Sequence, residues 1–443
     1  MIGRLCGLLK KYRLQKAFVA VVAAGCLLCV LGGCGKAGSQ KFTGVQEISG
    51  QSEEWAASFP VATEQTDLLA RGINLFGLEL FARLEQEQNQ FFSPYSMASA
   101  LSILNVGAGG DTREELETML GISDREQWDQ QMQLFLQKKW AKDTRLLTAN
   151  SLWIDMGSSL SEKLQEDFLD PVSFYYNGEV FQADFAGDGK NVTGRINAWV
   201  EEHTDGMIRD FKKEVNPDTT MSIVNAVFFE GKWEHPFRGE DTKADGRFRN
   251  LQGEWQRGVP LMNQWGVSLR YLETHELQGI ELPYKDSSLV MDILLPGREY
   301  DLSVYRGLAP EQQLALWQSF DQALEQEVET LTLPAFTMDI SMKDTDDILK
   351  AMGMKSAFEP SADLDLIGSD KYVQEVSHRA RIEVCEEGTR AAAVTDIAMA
   401  DGAALVMPDV IEFIANRPFV YAIRDRETGV ILFLGQVTSM EEM

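Results

Sequence analysis

The chain has little cysteine where cysteine would matter. Of its five Cys, four (Cys6, Cys26, Cys29 and Cys34) fall in the first 34 residues, and only Cys385 remains beyond them. One thiol forms neither an internal disulfide nor a multi-thiolate zinc site, so no such scaffold holds the body together. Histidine is scarce as well. His203, His235, His275 and His378 are the only four, and none sits in an HExxH pattern, so no metal site is expected. There is no GxSxG elbow, GxxxxGK[ST] phosphate loop or GxGxxG fingerprint, the local arrangements that expose a nucleophile or cradle a phosphate. Gly107 to Gly110 is glycine-rich but follows a helical stretch, the wrong context for a phosphate. Carboxylate pairs abound, as 68 acidic residues guarantee, and so mean little. An enzyme reading has no anchor. Positive charge is short too: 41 Lys+Arg face 68 Asp+Glu, a formal charge of −27. That balance argues against nucleic acid as a partner. What is present in quantity is apolar surface, 44% of the residues, enough to bury a real core.

The first 33 residues read as an address. Arg4, Lys10, Lys11, Arg13 and Lys16 make a basic start, and residues 17–30 make an apolar run of 14. A bilayer span needs about 20 residues, whereas a signal-peptide core is shorter. The run ends in Leu31-Gly32-Gly33-Cys34, which resembles the bacterial lipoprotein signal and implies lipidation of Cys34. Residues 1–33 are therefore expected to be removed, leaving 36 basic against 68 acidic residues, or −32. Residues 34–65, rich in Gly, Ser, Gln and charge, are expected to be a flexible tether holding the body to a membrane.

From Thr66 onward the pattern is that of one α+β body. Leu68, Leu69, Ile73, Phe76, Leu80 and Phe81 recur at helical steps. Residues 94–106 read as a buried helix with Pro94 at a suitable first position. Further helices are expected from Asp111 and over 125–140. Met221–Phe229, Leu289–Leu295, Glu329–Leu333 and Tyr421–Val437 read as strands, the last with a turn at Glu427-Thr428-Gly429. Helices dominate the first third and strands the rest, which argues against alternating βαβ units. No linker or fixed-period repeat divides residues 66–443.

Residues 386–408 stand apart. They hold seven Ala, two Gly and no large aromatic, between two strand-like segments. A loop of about 20 residues is uncommon in a compact domain and usually functional. Thr389, Ala391, Ala393 and Thr395 alternate with Arg390, Ala392, Val394 and Asp396, so one face is small throughout and could slot into a sheet. On composition the segment could equally be an Ala-rich surface loop or a short helix.

Several segments then share one resemblance. Phe92-Ser93-Pro94-Tyr95-Ser96, Ile196-Asn197-Ala198-Trp199-Val200 with Thr204, Gly206 and Ile208, and Asn225 to Trp233 with Pro236-Phe237 resemble serpin motifs. So do Leu282-Pro283-Tyr284, Leu294-Leu295-Pro296, Asn416 to Val420 and Phe433-Leu434-Gly435. They fall in family order from about residue 66 to the end, and the body resembles a serpin throughout.

The resemblance implies a serpin fold with a large central sheet and an exposed reactive loop. It implies inhibition of a serine protease as a suicide substrate, through an acyl-enzyme and insertion of the cut loop into the sheet. Glu386, Glu387, Gly388, Thr389, Ala391, Ala392 and Ala393 match the hinge. Ser93, Ser96, Asn225 and His378 match the polar cluster beneath the sheet opening, and Trp233 matches the aromatic at its top. Family counting places the reactive bond at Gly402–Ala403. The loop is longer than usual, which widens the window to Met399, Ala400, Asp401, Ala404, Leu405, Val406 and Met407. No Arg or Lys lies there, which points to elastase-like or subtilisin-like targets. Ala335 stands where a Lys often pairs with the first hinge Glu, so Glu386 is expected to lack its usual partner and the hinge to be looser. Lys138, Lys139, Lys142 and Arg145 are diluted by acids, so no heparin-type cofactor is expected. The chain is expected to be a monomer. The alternative is a non-inhibitory binding or carrier protein on the same fold.

Overall fold

The structure is a computed structural model that describes residues 43–49, 62, 67–157, 159–389 and 410–440. The leader, Cys34 and residues 390–409 lie outside the described residues.

The helical first third follows from capping and periodicity. Helix α1 (Asp67–Arg83) buries Leu69, Ile73, Phe76, Leu80 and Phe81 on one side and leaves Leu68 exposed. Helix α2 (Pro94–Gly107) starts at Ser93, whose Oγ accepts the Ser96 amide at 3.0 Å, a side-chain cap on an otherwise orphaned donor. Every residue of α2 is buried, as suits a helix with almost no charge on any face. Helix α3 (Gly110–Leu120) ends at Gly121, in the left-handed conformation (φ 71°) that glycine reaches without penalty. Helix α4 (Arg125–Leu136) is capped by Asp124 and stops at Gln137, short of the expected residue 140. Helices α5 (Asp170–Tyr176) and α6 (Phe185–His203) complete this part.

The strands, in chain order, are β1 (Val45–Glu47), β2 (Gln90–Phe92), β3 (Thr144–Asp155), β4 (Glu179–Ala183), β5 (Met221–Lys232), β6 (Lys243–Arg249), β7 (Trp255–Glu273), β8 (Leu277–Pro283), β9 (Leu289–Pro296), β10 (Leu324–Pro334), β11 (Phe336–Ser341), β12 (Glu375–Cys385), β13 (Gly388–Thr389), β14 (Ile411–Ile414), β15 (Phe419–Asp425) and β16 (Ile431–Val437). They form two sheets. One has seven strands in the order β1-β4-β3-β5-β13-β12-β11. The other has nine: β14-β10-β7-β8-β9-β15-β16-β2, with β6 on β7.

Aromatic rings join the two sheets. Phe433 of β16 stacks on Phe91 at 5.2 Å and meets Phe229 of β5 at 5.8 Å. The outer face of the seven-stranded sheet is covered by α6, through Ile196, Trp199 and Val200 on Trp153, Phe181 and Val224. Trp153 and Phe181 stack at 4.3 Å. This explains the Ile196–Val200 motif: those three side chains share one helix face. Thr204 then ties off the helix, its hydroxyl bonding the Val200 carbonyl and accepting the Ile208 amide.

One boundary differs from expectation. Val45–Glu47, inside the stretch read as a tether, is a strand paired antiparallel with β4. Ile48 N–H adds a bond to the Val180 carbonyl at 2.9 Å, and Thr43 Oγ1 reaches Asp188 at 2.7 Å. The edge of β4 offers unpaired backbone groups, and a ladder bond is indifferent to the polar side chains that suggested a linker.

Candidate functional site at the opening of the seven-stranded sheet

The site lies between β5 and β12. These strands run parallel and pair directly from Ser222–Phe228 against Glu375–Arg381. Beyond that they part. At the parted end β13 lies between them, antiparallel to both, with Gly388 opposite Lys232 and Cys385, and Thr389 opposite Gly231 and Val384. The first two residues after the Glu386-Glu387 turn thus already occupy the start of a strand slot.

Each residue there is fitted to that position. A Cβ on Gly388 would stand 2.2 Å from the Gly231 carbonyl oxygen and 2.7 Å from Lys232 Cα, so only glycine fits. Thr389 is fully buried, and its hydroxyl lies 2.7 Å from the Tyr284 hydroxyl. Gly231 makes room for that ring, since a Cβ there would meet Tyr284 Cδ1 at 2.8 Å. Burial pushes the Tyr284 phenol well above its ordinary range, so it stays protonated and able to donate. Trp233 stacks on Tyr284 at 4.7 Å, donates from Nε1 to the Cys385 carbonyl at 3.0 Å, and donates its amide to the Glu387 carbonyl.

Ala335 offers Glu386 no cation, but Glu386 has other partners. Its Oε1 accepts from the Thr242 hydroxyl at 2.7 Å, and its carbonyl accepts the Phe237 amide at 2.8 Å. A hydroxyl from a different strand connection replaces the missing cation.

Deeper in the sheet Ser93, Ser96, Asn225 and His378 come together. Asn225 of β5 stands in register with Asn150 of β3 on one side and His378 of β12 on the other. Its amide donates to Ser96 Oγ at 2.7 Å and to the Ser96 carbonyl at 3.1 Å, and it also bonds Asn150 Oδ1. The His378 ring bonds Asn225 Oδ1 through Nδ1 and accepts the Ser93 amide at Nε2, 3.2 Å away. That accepting role needs a neutral ring, and burial pushes the imidazole down to about 3. Ser93 Oγ donates to the Leu432 carbonyl at 2.6 Å, reaching the second sheet. The cluster therefore pins α2, β5, β12 and β16 at one point.

Sequence reading missed Asn150, Ser99, which accepts from Asn150 at 3.1 Å, Thr242 and the role of Tyr284. Asn150 carried little signal, because it lies between Thr148 and Ser151 in a strand of mixed composition. Thr242 and Tyr284 carried none, because their partners lie 144 and 105 residues away. Ala391, Ala392, Ala393 and the bond window 399–407 lie outside the described residues.

Fold and site together define a class: an α+β domain whose seven-stranded sheet has parted at one end around Gly388 and Thr389. The sequence profile "Serpin (serine protease inhibitor)" matches residues 71–440. An uncharacterised serpin-like protein of Thermococcus kodakarensis is 32% identical over 94% of this chain and 97% of its own length. The crystal structure of a thermophilic serpin, tengpin, in its native state superposes with a TM-score of 0.76 at 26% identity, covering 90% of this chain and all of that one. Human thyroxine-binding globulin in complex with thyroxine shares the fold at a TM-score of 0.74 and 24% identity, over 85% of this chain and all of that one. The chain belongs to the serpin family, whose members are mostly protease inhibitors rather than enzymes. Among the described residues no helix is long and apolar enough to cross a membrane.

Proposed function

We propose that the protein is a suicide-substrate inhibitor of serine proteases of elastase-like or subtilisin-like preference, with cysteine proteases also within its chemistry. The nucleophile of the protease attacks the carbonyl carbon before a bond in the 399–407 window, Gly402–Ala403 by counting. The amine of the next residue leaves with a proton, and the protease stays bound as an acyl-enzyme. The hinge then runs down between β5 and β12 as a new strand and carries the protease with it.

The observation that carries this reading is β13. On insertion its register would carry on along both neighbours. Each step forward in the loop is one step back along β5 and β12. Ala391 and Ala393 then face inward like Thr389, and Thr395 arrives between Asn225 and His378. Met399 arrives opposite Met221, the far end of β5. Ten residue steps at about 3.4 Å carry the hinge over roughly 34 Å, and the bond window begins where the slot ends.

The lipid anchor belongs to the same proposal: Cys34 becomes the modified N-terminus and holds a monomer on the outer side of a bacterial membrane. The test is incubation with a panel of elastase-like and subtilisin-like proteases. A covalent complex that survives boiling in detergent is the expected result, and cleavage after which the loop inserts should raise the melting temperature. Cleavage with neither effect across the panel refutes inhibition and favours the carrier alternative.

A further inference from the structure

The sheet face beside the C-terminal end of the reactive loop carries a large exposed aromatic. Trp265 of β7 is 55% exposed, an unusual position for so large an apolar side chain. It stands in register with Thr330 of β10, which stands in register with Glu412 of β14. Directly opposed residues point to the same face of a sheet, so the three form one row ending at the edge strand. Glu327 and Glu329 of β10 are exposed, Glu329 at the irregularity between Val328 and Thr330 that leads into the row. The Glu327 carboxylate lies 3.9 Å from where a Gly266 Cβ would stand, next to the tryptophan. Val410, 45% exposed, continues this edge into the loop.

We propose that this row is a secondary contact surface for the target protease, and that it selects proteases with a basic rim on the leaving-group side of the cleft. This rests on the inhibitory reading. The residues after the scissile bond are the ones that lead into β14. Ala403 is seven residues before Val410, at most about 25 Å along the chain. A protease of some 220 residues is about 40 Å across, so one seated on that bond overhangs a row that begins at Glu412 and reaches Trp265 two strand spacings, about 10 Å, away. The rim facing the row is the one that binds the leaving-group side. A tryptophan flanked by carboxylates supplies apolar area for an anchor and a field that speeds the approach of a cationic partner.

The experiment measures second-order rate constants for loop attack, whether it ends in a complex or in cleavage. It compares the wild type, Trp265→Ala, and the triple variant Glu327→Gln, Glu329→Gln, Glu412→Gln. The probes are a cationic elastase-like protease and an acidic subtilisin-like one. Trp265→Ala should slow the cationic protease about tenfold and leave the share of attacks that end in complex unchanged. The triple variant should slow it severalfold and flatten its salt dependence, with no loss for the acidic protease. Wild-type rates for Trp265→Ala with both proteases overturn the proposal. A wild-type chain that is cut but never trapped overturns the inhibitory reading instead, while its cutting rates still report on this surface.

Discussion

Replacing Thr389 by arginine separates inhibition from every other use of this fold. The Thr389 side chain is fully buried and meets the Tyr284 hydroxyl at 2.7 Å. A guanidinium placed there must shed its water against a neutral phenol, at a cost of several kcal/mol. In the resting protein Thr389→Arg has an escape. The hinge can leave the sheet, giving up β13 and its ladder bonds, worth about 1–2 kcal/mol in total. During insertion there is no escape, because position 389 must pass between β5 and β12 before anything behind it can follow. An added barrier of about 4 kcal/mol slows insertion about 1000-fold. Insertion and hydrolysis compete for the same acyl-enzyme, so nearly every turnover of the variant ends in a cut loop and free protease. The assay is a denaturing gel of protease with wild type, Thr389→Arg and Thr389→Ser, alongside titration of residual protease activity. The serine variant keeps the hydroxyl and the small size and should behave as wild type. An arginine variant that traps protease as completely as wild type, while remaining folded, refutes the claim that residue 389 leads a strand into the slot.

Two further outcomes test the polar cluster and the proposed anchor. The His378 imidazole is pushed down to about 3 by burial, against about 6.5 in an unfolded chain. The folded state therefore binds fewer protons, and the stability this neutral ring contributes is complete above pH 6.5 and lost as pH falls toward 3. The loss is about 1.4 kcal/mol per pH unit, so melting temperatures of wild type and His378→Gln measured between pH 7 and 4.5 should converge as pH falls. Parallel curves would show that the ring is not held neutral. Separately, Cys34→Ala should move the protein from the membrane fraction to the soluble fraction of the producing cell. An unchanged distribution in fractionation would remove the lipid anchor from the proposal.

Much of this site was legible because its parts are local or periodic. Ser93 caps a helix whose first turn is three residues away, and Ile196, Trp199 and Val200 share a face by spacing alone. Pairings over long distances were not legible. The Glu386–Thr242 bond and the β1–β4 ladder depend on which backbone edges meet, and composition carries no record of that. Ala335 told only that the usual cation is missing from Glu386; the folded chain brings a hydroxyl instead, from a connection 144 residues away. The hinge shows where the limit falls. Alternation identifies the face that Thr389, Ala391, Ala393 and Thr395 share, because face depends only on parity. Depth depends on register, and register is set by Gly388 meeting Lys232 and Cys385. Sequence alone says that Thr395 can point inward. The pairing of β13 says that, once inserted, it arrives in the row of Asn225 and His378, where an inward hydroxyl has partners. Thr389 meets the Tyr284 hydroxyl at the mouth of the slot, and the next hydroxyl on the same face, Thr395, would fall at the Asn225–His378 row beneath the opening. That match between a loop and a slot is what a strand-inserting mechanism requires, and a carrier that keeps its loop outside the sheet has no use for it.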